Sequence, residues 1–593
     1  MTEQRESVKD ETCANEAVPD QPATIRGEKT RIGKWITRYW AGAVVVAIAV
    51  LLWAPRLSGP LNLRWDASTY YVLGTALAEG KGYRLLNEPG DIEAVQYPPL
   101  LPLIVAAHQW VMGTSDYVKV GSALRLTYFV LSTLFLLTVY ALARKLFSRL
   151  CALLVAAMTA LSFFAFIQPS DALRPEIPFA LVTMGFLLCQ RRTDEPFFLA
   201  ASALLGTAAY LLRTAGIALL LAWTAESVIR RRFRQAALRT AVSALPILLW
   251  QAHIWRATTS DEYRHPQYSY QRADYQYANV TYGANSRLVD PFRPELGHAQ
   301  FRDLGARLAQ NIVSIPAALG EDAVVPQVFV PYLLSQLQRT LHVRFSSHQQ
   351  ILLSAAFSAC LFFVGLLALV GGVVVATGRH WFLALYFTIT LAMIVATPWQ
   401  SQFPRYLAPV TPLTLLFLLV ALIAIRDWSK RLRWGRIAGV LAMTVPLVGI
   451  LLVQIVVAPH LLKVVYGARY NDAVGRTQVF KPIQSGSAWQ ALDHAFEWIR
   501  RKAAADAVIA TTVPHLAYLR TGHKAVLPPF VSDPDIARHL LDEVPVDYLV
   551  VDRFGLPGVS ERYAAPVVAH NVGDWRLVFT APDRKTRVYE RTH

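Results

Sequence analysis

The chain has 593 residues, of which 54% are hydrophobic and 17% charged, with a mean hydropathy of +0.33. So few charges, with the apolar residues gathered in long runs, exclude a disordered, collagenous or coiled-coil chain and imply a polytopic membrane protein. A net charge of +17 would suggest nucleic acid in a soluble protein, but here Lys and Arg sit at the ends of apolar runs, where they set orientation, so no nucleic-acid partner is implied.

Residues 1–34 are polar and read as a disordered cytoplasmic tail, and no cleavage site follows the first apolar run. A membrane-crossing helix needs about 20 mostly apolar residues. Candidates lie at 39–55, 118–143, 150–168, 176–190, 197–212, 214–229, 238–256, 351–377, 381–397, 406–425 and 437–458, about eleven spans. Segment 98–112 is short and Pro-rich at its start and reads as an interfacial helix. Cys13 lies in the tail and Cys151, Cys189 and Cys360 in apolar runs, which indicates neither a disulfide framework nor a metal cluster.

With the N-terminus inside, the inner connections carry Arg144, Lys145, Arg149, Arg191, Arg192, Arg230, Arg231, Arg232, Arg234, Arg239, Arg379, Arg426, Lys430, Arg431, Arg433 and Arg436. The short outer connections carry Arg174, Arg213 and Arg405. Sixteen against three supports this threading, and counting 98–112 as a span would reverse it. Residues 35–458 then form a transmembrane domain with outer loops 56–117 and 257–350. Residues 459–593 form an extracytoplasmic unit. Helical patterns at 489–502 and 514–520 alternate there with strand-like runs at 507–512, 547–551, 576–579 and 585–590, which reads as α/β.

This threading puts the scarce ionisable groups Asp66, Arg125, Asp171, Arg174, Glu176, Arg213 and Arg405 at one membrane face. Taken singly, Asp66 reads equally as a solvated or capping residue, Arg213 and Arg405 as snorkelling arginines, and Asp171 with Arg174 as a surface pair. Together they suit an enzyme site, with carboxylates for proton transfer and planar guanidinium groups for a lipid phosphate. A transporter calls for polar groups near the bilayer midplane, where few are seen. The tyrosine-rich stretch 263–282 reads either as an interfacial belt or as contacts to a sugar or lipid head group. Asn279-Val280-Thr281 matches a glycosylation triplet common by chance. No phosphate-binding glycine loop, Cys/His metal spacing or Ser-His-Asp pattern is visible. No cofactor is called for, and a divalent metal is left open.

Trp65-Asp66-Ala67-Ser68-Thr69-Tyr70-Tyr71, Glu79-Gly80-Lys81-Gly82-Tyr83 and Gln96-Tyr97-Pro98-Pro99-Leu100-Leu101-Pro102 resemble the first outer loop of GT-C glycosyltransferases, family 39 in the broad sense: the protein mannosyltransferase and aminoarabinose transferase type of bacteria. Arg174-Pro175-Glu176-Ile177-Pro178 resembles the next outer turn of that family, and Arg405-Tyr406 within Pro404–Pro412 its late outer hairpin. Trp489, Trp498-Ile499-Arg500, Pro514-His515-Leu516-Ala517-Tyr518 and Gly522-His523-Lys524 are similar to the periplasmic tails of bacterial members. The resemblance covers most of residues 35–460 in order. It implies a multi-pass inner-membrane enzyme that moves a hexose or pentose, with inversion, from a polyprenyl-phosphate carrier to a glycan, lipid or protein acceptor. Asp66 would be the general base, Arg125 and Arg405 would hold the departing phosphate, and Arg174, Glu176, Asp171, Arg213, Tyr97 and Tyr406 would line the substrates. Tyr97 stands where aminoarabinose transferases have Lys, and Ala67 where protein mannosyltransferases have a second acid, which argues against both specificities. The alternatives are a glycolipid transporter or flippase, and a non-catalytic scaffold or receptor in which Asp66 and Arg405 would lie far apart.

Overall fold

The computed structural model describes residues 40–57, 61–163, 172–190, 195–431, 435–467, 469–471, 477–479, 487–553, 556 and 558–592. The tail at 1–34, Asp171, and the basic residues Arg191, Arg192 and Arg433 lie outside these.

The protein is a multi-pass membrane protein. Each of the eleven apolar runs falls on a helix among the described residues. Tyr117–Ala143, Ser347–Ala376, Gln400–Ser429 and Gly435–His460 are long and apolar enough to cross a bilayer, and Trp40–Trp53, Arg149–Leu161, Glu176–Cys189, Pro196–Leu212, Thr214–Ile229 and Trp381–Val395 are shorter apolar helices. Phe233–Thr258 carries the remaining run. The long helices show why they belong in lipid. On Tyr117–Ala143, Leu126, Val130 and Leu134 recur every four residues and are exposed, while Leu124, Tyr128, Phe135 and Val139 face inward and are buried. Helices come close where side chains vanish: a Cβ on Gly320 would sit 1.8 Å from the Leu361 carbonyl oxygen, and one on Gly365 1.8 Å from that of Pro316. Such backbone approach is how helices bind one another where water gives no driving force.

Two segments refine the sequence reading. The loop expected at 257–350 contains an apolar pair, Phe301–Ala323 and Gln327–Leu341, bent by 57°; Pro326 interrupts the helix between its halves, since the residue before proline is pushed out of helical geometry. Leu100–Met112, the expected interfacial helix, is 13 residues, about 20 Å long at 1.5 Å per residue. It packs on Asp66–Ala78, with Gln109 Nε2 donating to Thr75 Oγ1 at 2.9 Å and Trp110 Nε1 to the Ala78 carbonyl at 3.0 Å.

The C-terminal unit is α/β. Its five-stranded sheet runs in the order Lys524–Val526, Val508–Ala510, Tyr548–Val551, Arg587–Arg591, Trp575–Thr580. The first three strands are parallel, and the last two close the sheet antiparallel. The strands expected around 507, 547, 576 and 585 are present, as are the helices Ser487–Lys502 and Pro514–Thr521; Lys524–Val526 and the helix Pro534–Glu543 went unread. This unit is bonded to the first long loop. Ala525 N donates to the Asn87 carbonyl at 2.7 Å, Asn87 Nδ2 returns to the Ala525 carbonyl at 3.1 Å, and Lys524 Nζ reaches Asp91 at 2.5 Å.

The tyrosine-rich stretch is neither a membrane belt nor an open binding surface over most of its length. Tyr268, Tyr270 and Tyr275 are core residues against the C-terminal unit. Tyr275 stacks on Phe530 at 4.5 Å and Phe530 on Tyr563 at 5.0 Å. Large aromatic rings suit such a junction, and Tyr268 Oη donates to Glu88 Oε2 at 2.6 Å. Asn279 is buried with its amide donating to the Gln271 carbonyl at 3.1 Å, so it does not present itself as a glycosylation site.

Candidate active site

Four segments far apart in sequence meet at the end of the bundle that carries the C-terminal unit. Residues near 62 are laid beside those near 172 by a parallel bridge between Asn62 and Ala172, which brings Asp66 next to Arg174 and Glu176. Asp66 is the first residue of the helix Asp66–Ala78, where a carboxylate meets the positive end of the helix dipole. Trp65, just before it, has φ 52°, a left-handed conformation that costs a bulky residue of order 1–3 kcal/mol. It is pinned there: Ser68 Oγ donates to the Trp65 carbonyl at 2.7 Å, the Trp489 ring lies edge-on at 6.3 Å, and the Arg174 guanidinium lies 5.7 Å from its ring.

Glu176 opens its helix directly after Pro175. Arg213 caps Pro196–Leu212 in extended geometry. The chain turns back at Gly216, where a Cβ would lie 2.5 Å from the Ala209 backbone, so only glycine fits. Arg405 lies in the single turn Phe403–Leu407, begun by Pro404 at its N-terminus and leading into Thr411–Ser429.

The side chains form one continuous chain of charge. Tyr97 Oη donates to Asp66 Oδ1 at 3.1 Å, and Arg405 Nη1 pairs with Asp66 Oδ2 at 2.7 Å. Arg405 Nε reaches Glu176 Oε1 at 2.5 Å, and Arg213 Nη1 meets the same oxygen at 2.8 Å. Glu176 is almost sealed, at 2% exposure, while the Asp66, Arg405 and Arg213 side chains keep 17–18%. Tyr406 lies 5.5 Å beneath the Arg213 guanidinium. Tyr128 Oη donates to the Arg174 carbonyl at 2.5 Å, and Arg125 is buried one turn earlier on the same helix. Burial pushes the Asp66 carboxyl up, but the neighbouring Arg405 and Arg174 outweigh it and hold the group below the usual carboxylate range.

The expected residues Asp66, Tyr97, Glu176, Arg213 and Arg405 are thus one cluster, with Arg174 and Tyr406 against it. The 2.7 Å contact between Asp66 and Arg405 is the opposite of what the scaffold reading requires. Glu176 pairs with Arg405 and Arg213, with the charge of Arg174 also acting on it. Trp65, Tyr70 and Tyr128 were not singled out as members. Tyr70, 4.9 Å from the Tyr97 ring, stands in the Asp66 motif and was within reach of the sequence; Tyr128, in an apolar run, gave no signal. Among the described residues, no group of three or more His, Cys, Asp or Glu side chains is placed to hold a metal ion.

The architecture has solved counterparts. The chain is similar to the oligosaccharyltransferase AglB from Archaeoglobus fulgidus in complex with an inhibitory peptide and a dolichol-phosphate, with TM-score 0.51 and 14% identity over 94% of this chain and 75% of that one. It is also similar to ArnT from Cupriavidus metallidurans in the apo state, with TM-score 0.50 and 11% identity over 94% of this chain and 98% of that one. No family model matches the chain, nor does any curated protein sequence. At such identities the likeness is one of fold: the chain has the GT-C fold of these transferases.

Proposed function

We propose that this protein is a membrane glycosyltransferase that moves a sugar from a polyprenyl-phosphate carrier to a hydroxyl of an envelope acceptor, at the face of the bilayer where the C-terminal unit sits. The observation that carries this is the Asp66–Arg405 pair at 2.7 Å, shared through Arg405 with Glu176. Three arginines (Arg174, Arg213, Arg405) surround two carboxylates (Asp66, Glu176), so the cluster has one positive charge in excess. An excess of guanidinium at a bilayer face, next to a carboxylate of low pKa, suits a lipid phosphate and an acceptor hydroxyl together. The dolichol-phosphate held by the AglB structure supports a carrier of the same class.

In the proposed reaction the acceptor oxygen attacks the anomeric carbon and its proton passes to Asp66. The bond from that carbon to the phosphate oxygen breaks, and the electron pair leaves with the phosphate. A single displacement inverts the anomeric centre. Arg405 meets the charge that develops on the leaving phosphate, a term that is usually large. The ion pair also regulates the base. While Arg405 faces it, the Asp66 carboxylate is a poor proton acceptor; a donor phosphate that draws the guanidinium away raises its pKa toward a useful value. Glu176 keeps both arginines in place during that exchange.

The charge asymmetry of the loops supports a cytoplasmic N-terminus with the site on the opposite face of the membrane, and the family resemblance supports a bacterial inner membrane. The test is mass spectrometry of envelope glycans and glycolipids with and without the gene, paired with transfer by the purified protein from polyprenyl-phosphate sugars. Loss of one sugar modification, restored in vitro from such a donor, is the expected result. An unchanged envelope and no transfer from any such donor would reject the proposal.

A further inference from the structure

The C-terminal unit reaches the site itself. Its helix Pro514–Thr521 packs against Asp66–Ala78, with Tyr518 and Leu519 on Val72 and Ala76. This fixes His515, in the first turn, near the start of the site helix. His515 is 2% exposed, its ring centre is 6.4 Å from that of Tyr277, and it feels the charge of Asp66. Tyr277 feels that charge as well. Asp66 from the first loop, Tyr277 from the tyrosine-rich stretch and His515 from the C-terminal unit therefore converge.

The His515 Nε2 atom is buried and has no hydrogen-bond partner in the protein. Leaving a buried polar atom unpaired is costly, a cost that a bound ligand would offset. Burial pushes the imidazole down to about 3 in spite of the nearby Asp66 charge, so the ring is neutral in the working range. A neutral ring adds no charge to phosphate binding, which the arginines supply. It is suited to an uncharged hydroxyl. The Tyr277 ring beside it is only partly buried, and a ring of this kind suits the apolar side of a pyranose or furanose.

We propose that His515 and Tyr277 form a subsite for a neutral sugar ring next to Asp66, with a sugar hydroxyl hydrogen-bonded to His515 Nε2 and the ring laid against Tyr277. The proposal rests on the glycosyltransferase reading and adds to it a role for the C-terminal unit in sugar recognition. The ring belongs either to the donor or to the acceptor, and the experiment separates the two.

The full-length protein is titrated with bare polyprenyl phosphate and with the polyprenyl-phosphate-linked sugar, and acceptor KM is measured. The variants are His515→Phe, which keeps the ring bulk and removes the nitrogen, His515→Asn, which keeps a hydrogen-bonding group, and Tyr277→Leu. His515→Phe should bind the bare lipid as the wild type does. A donor ring predicts binding of the glycosylated lipid weakened about tenfold, the value of one hydrogen bond of about 1.4 kcal/mol. An acceptor ring predicts unchanged donor binding and acceptor KM raised by about the same factor. His515→Asn should recover part of the loss, and Tyr277→Leu should lower affinity for the same ligand. Wild-type values for donor, acceptor and bare lipid in His515→Phe would overturn the subsite, as would an equal fall for bare and glycosylated lipid. If His515→Phe does not fold, Tyr277→Leu and His515→Asn decide by the same comparison. A wild-type protein that binds neither lipid would overturn the glycosyltransferase reading itself, and the subsite with it.

Discussion

The helix Glu176–Cys189 carries a buried charge cluster at each end, and the two are built for different ends. At its start, Glu176 joins Arg405 and Arg213, with Asp66 beyond. Just past its last residue, Gln190 donates to Glu226, which also pairs with Arg239 at 2.7 Å and Arg230 at 3.0 Å. The second cluster is closed on itself: Arg239 also donates to the Trp223 carbonyl at 3.1 Å and its guanidinium lies 5.2 Å from the Trp223 ring. Its charged members come from one stretch of the chain, residues 226–239, and Glu226 and Arg239 are both buried. The first cluster gathers segments separated by hundreds of residues and leaves its carboxylate Asp66 18% exposed, against 9% for Glu226. A buried ion pair alone says little about function, because desolvation offsets much of its Coulombic gain. What distinguishes the first cluster is its partly open carboxylate, Asp66, and a second, sealed carboxylate, Glu176, that holds the arginine they share.

Neutralising the two glutamates sharpens that contrast. Glu226→Gln leaves Arg239 in a sealed site without its carboxylate, a change that typically costs roughly 3–5 kcal/mol. The thermal midpoint in detergent should fall clearly, while transfer per folded molecule holds. Glu176→Gln should fall in stability by a similar amount and also lose transfer, because Arg405 and Arg213 lose the group that aims them. Equal specific activities in the two folded variants would erase the distinction.

Arg405→Lys comes next. An ammonium cannot bridge Asp66 and Glu176 with the geometry of the fork. Losing one charge-assisted hydrogen bond of about 1.5–3 kcal/mol should lower donor affinity or turnover roughly 10- to 150-fold. The pH profile gives an independent reading. Because Arg405 and Arg174 hold Asp66 below the usual carboxylate range, the base stays ionised as pH falls, and the acid limb of kcat/KM for the free enzyme should lie below that range. Removing the cation in Arg405→Ala should move that limb to higher pH; an unmoved limb would separate Asp66 from the rate. The smallest effect belongs to the second cluster's outermost member. The Arg230 side chain is 45% exposed, so Arg230→Gln should cost no more than about 1 kcal/mol, read as a shift in thermal midpoint, and leave transfer unchanged.

Much of the first cluster was legible because charge is scarce in this sequence. Arg174, Glu176, Arg213 and Arg405 stand at the ends of apolar runs and Asp66 in the first outer loop, and threading the runs puts them at one face. The second cluster was not legible. Arg239 reads as one more basic residue of a loop, yet it lies in the helix Phe233–Thr258, buried against Glu226. Counting charges reports their number and leaves open whether a residue has turned inward to a partner. The tyrosines failed for a related reason: an amphipathic ring fits a bilayer interface, a sugar or a domain junction equally well. Only the packing of Tyr268, Tyr270 and Tyr275 against the C-terminal unit decides among these. His515 stood in a quoted motif, but its nearness to the Asp66 helix depends on how that unit docks.

The most direct test is single-turnover transfer from a polyprenyl-phosphate sugar by the wild type and Asp66→Asn, with donor binding measured alongside. Asparagine keeps the shape, and its one carbonyl oxygen can still accept from Arg405 while its amide group faces the Tyr97 hydroxyl oxygen, but it takes no proton. A positioned general base typically contributes about 10²–10⁴-fold, roughly 3–5 kcal/mol of barrier. The account predicts a folded variant that binds donor and transfers slower by about that factor. Transfer at the wild-type rate in Asp66→Asn would contradict it.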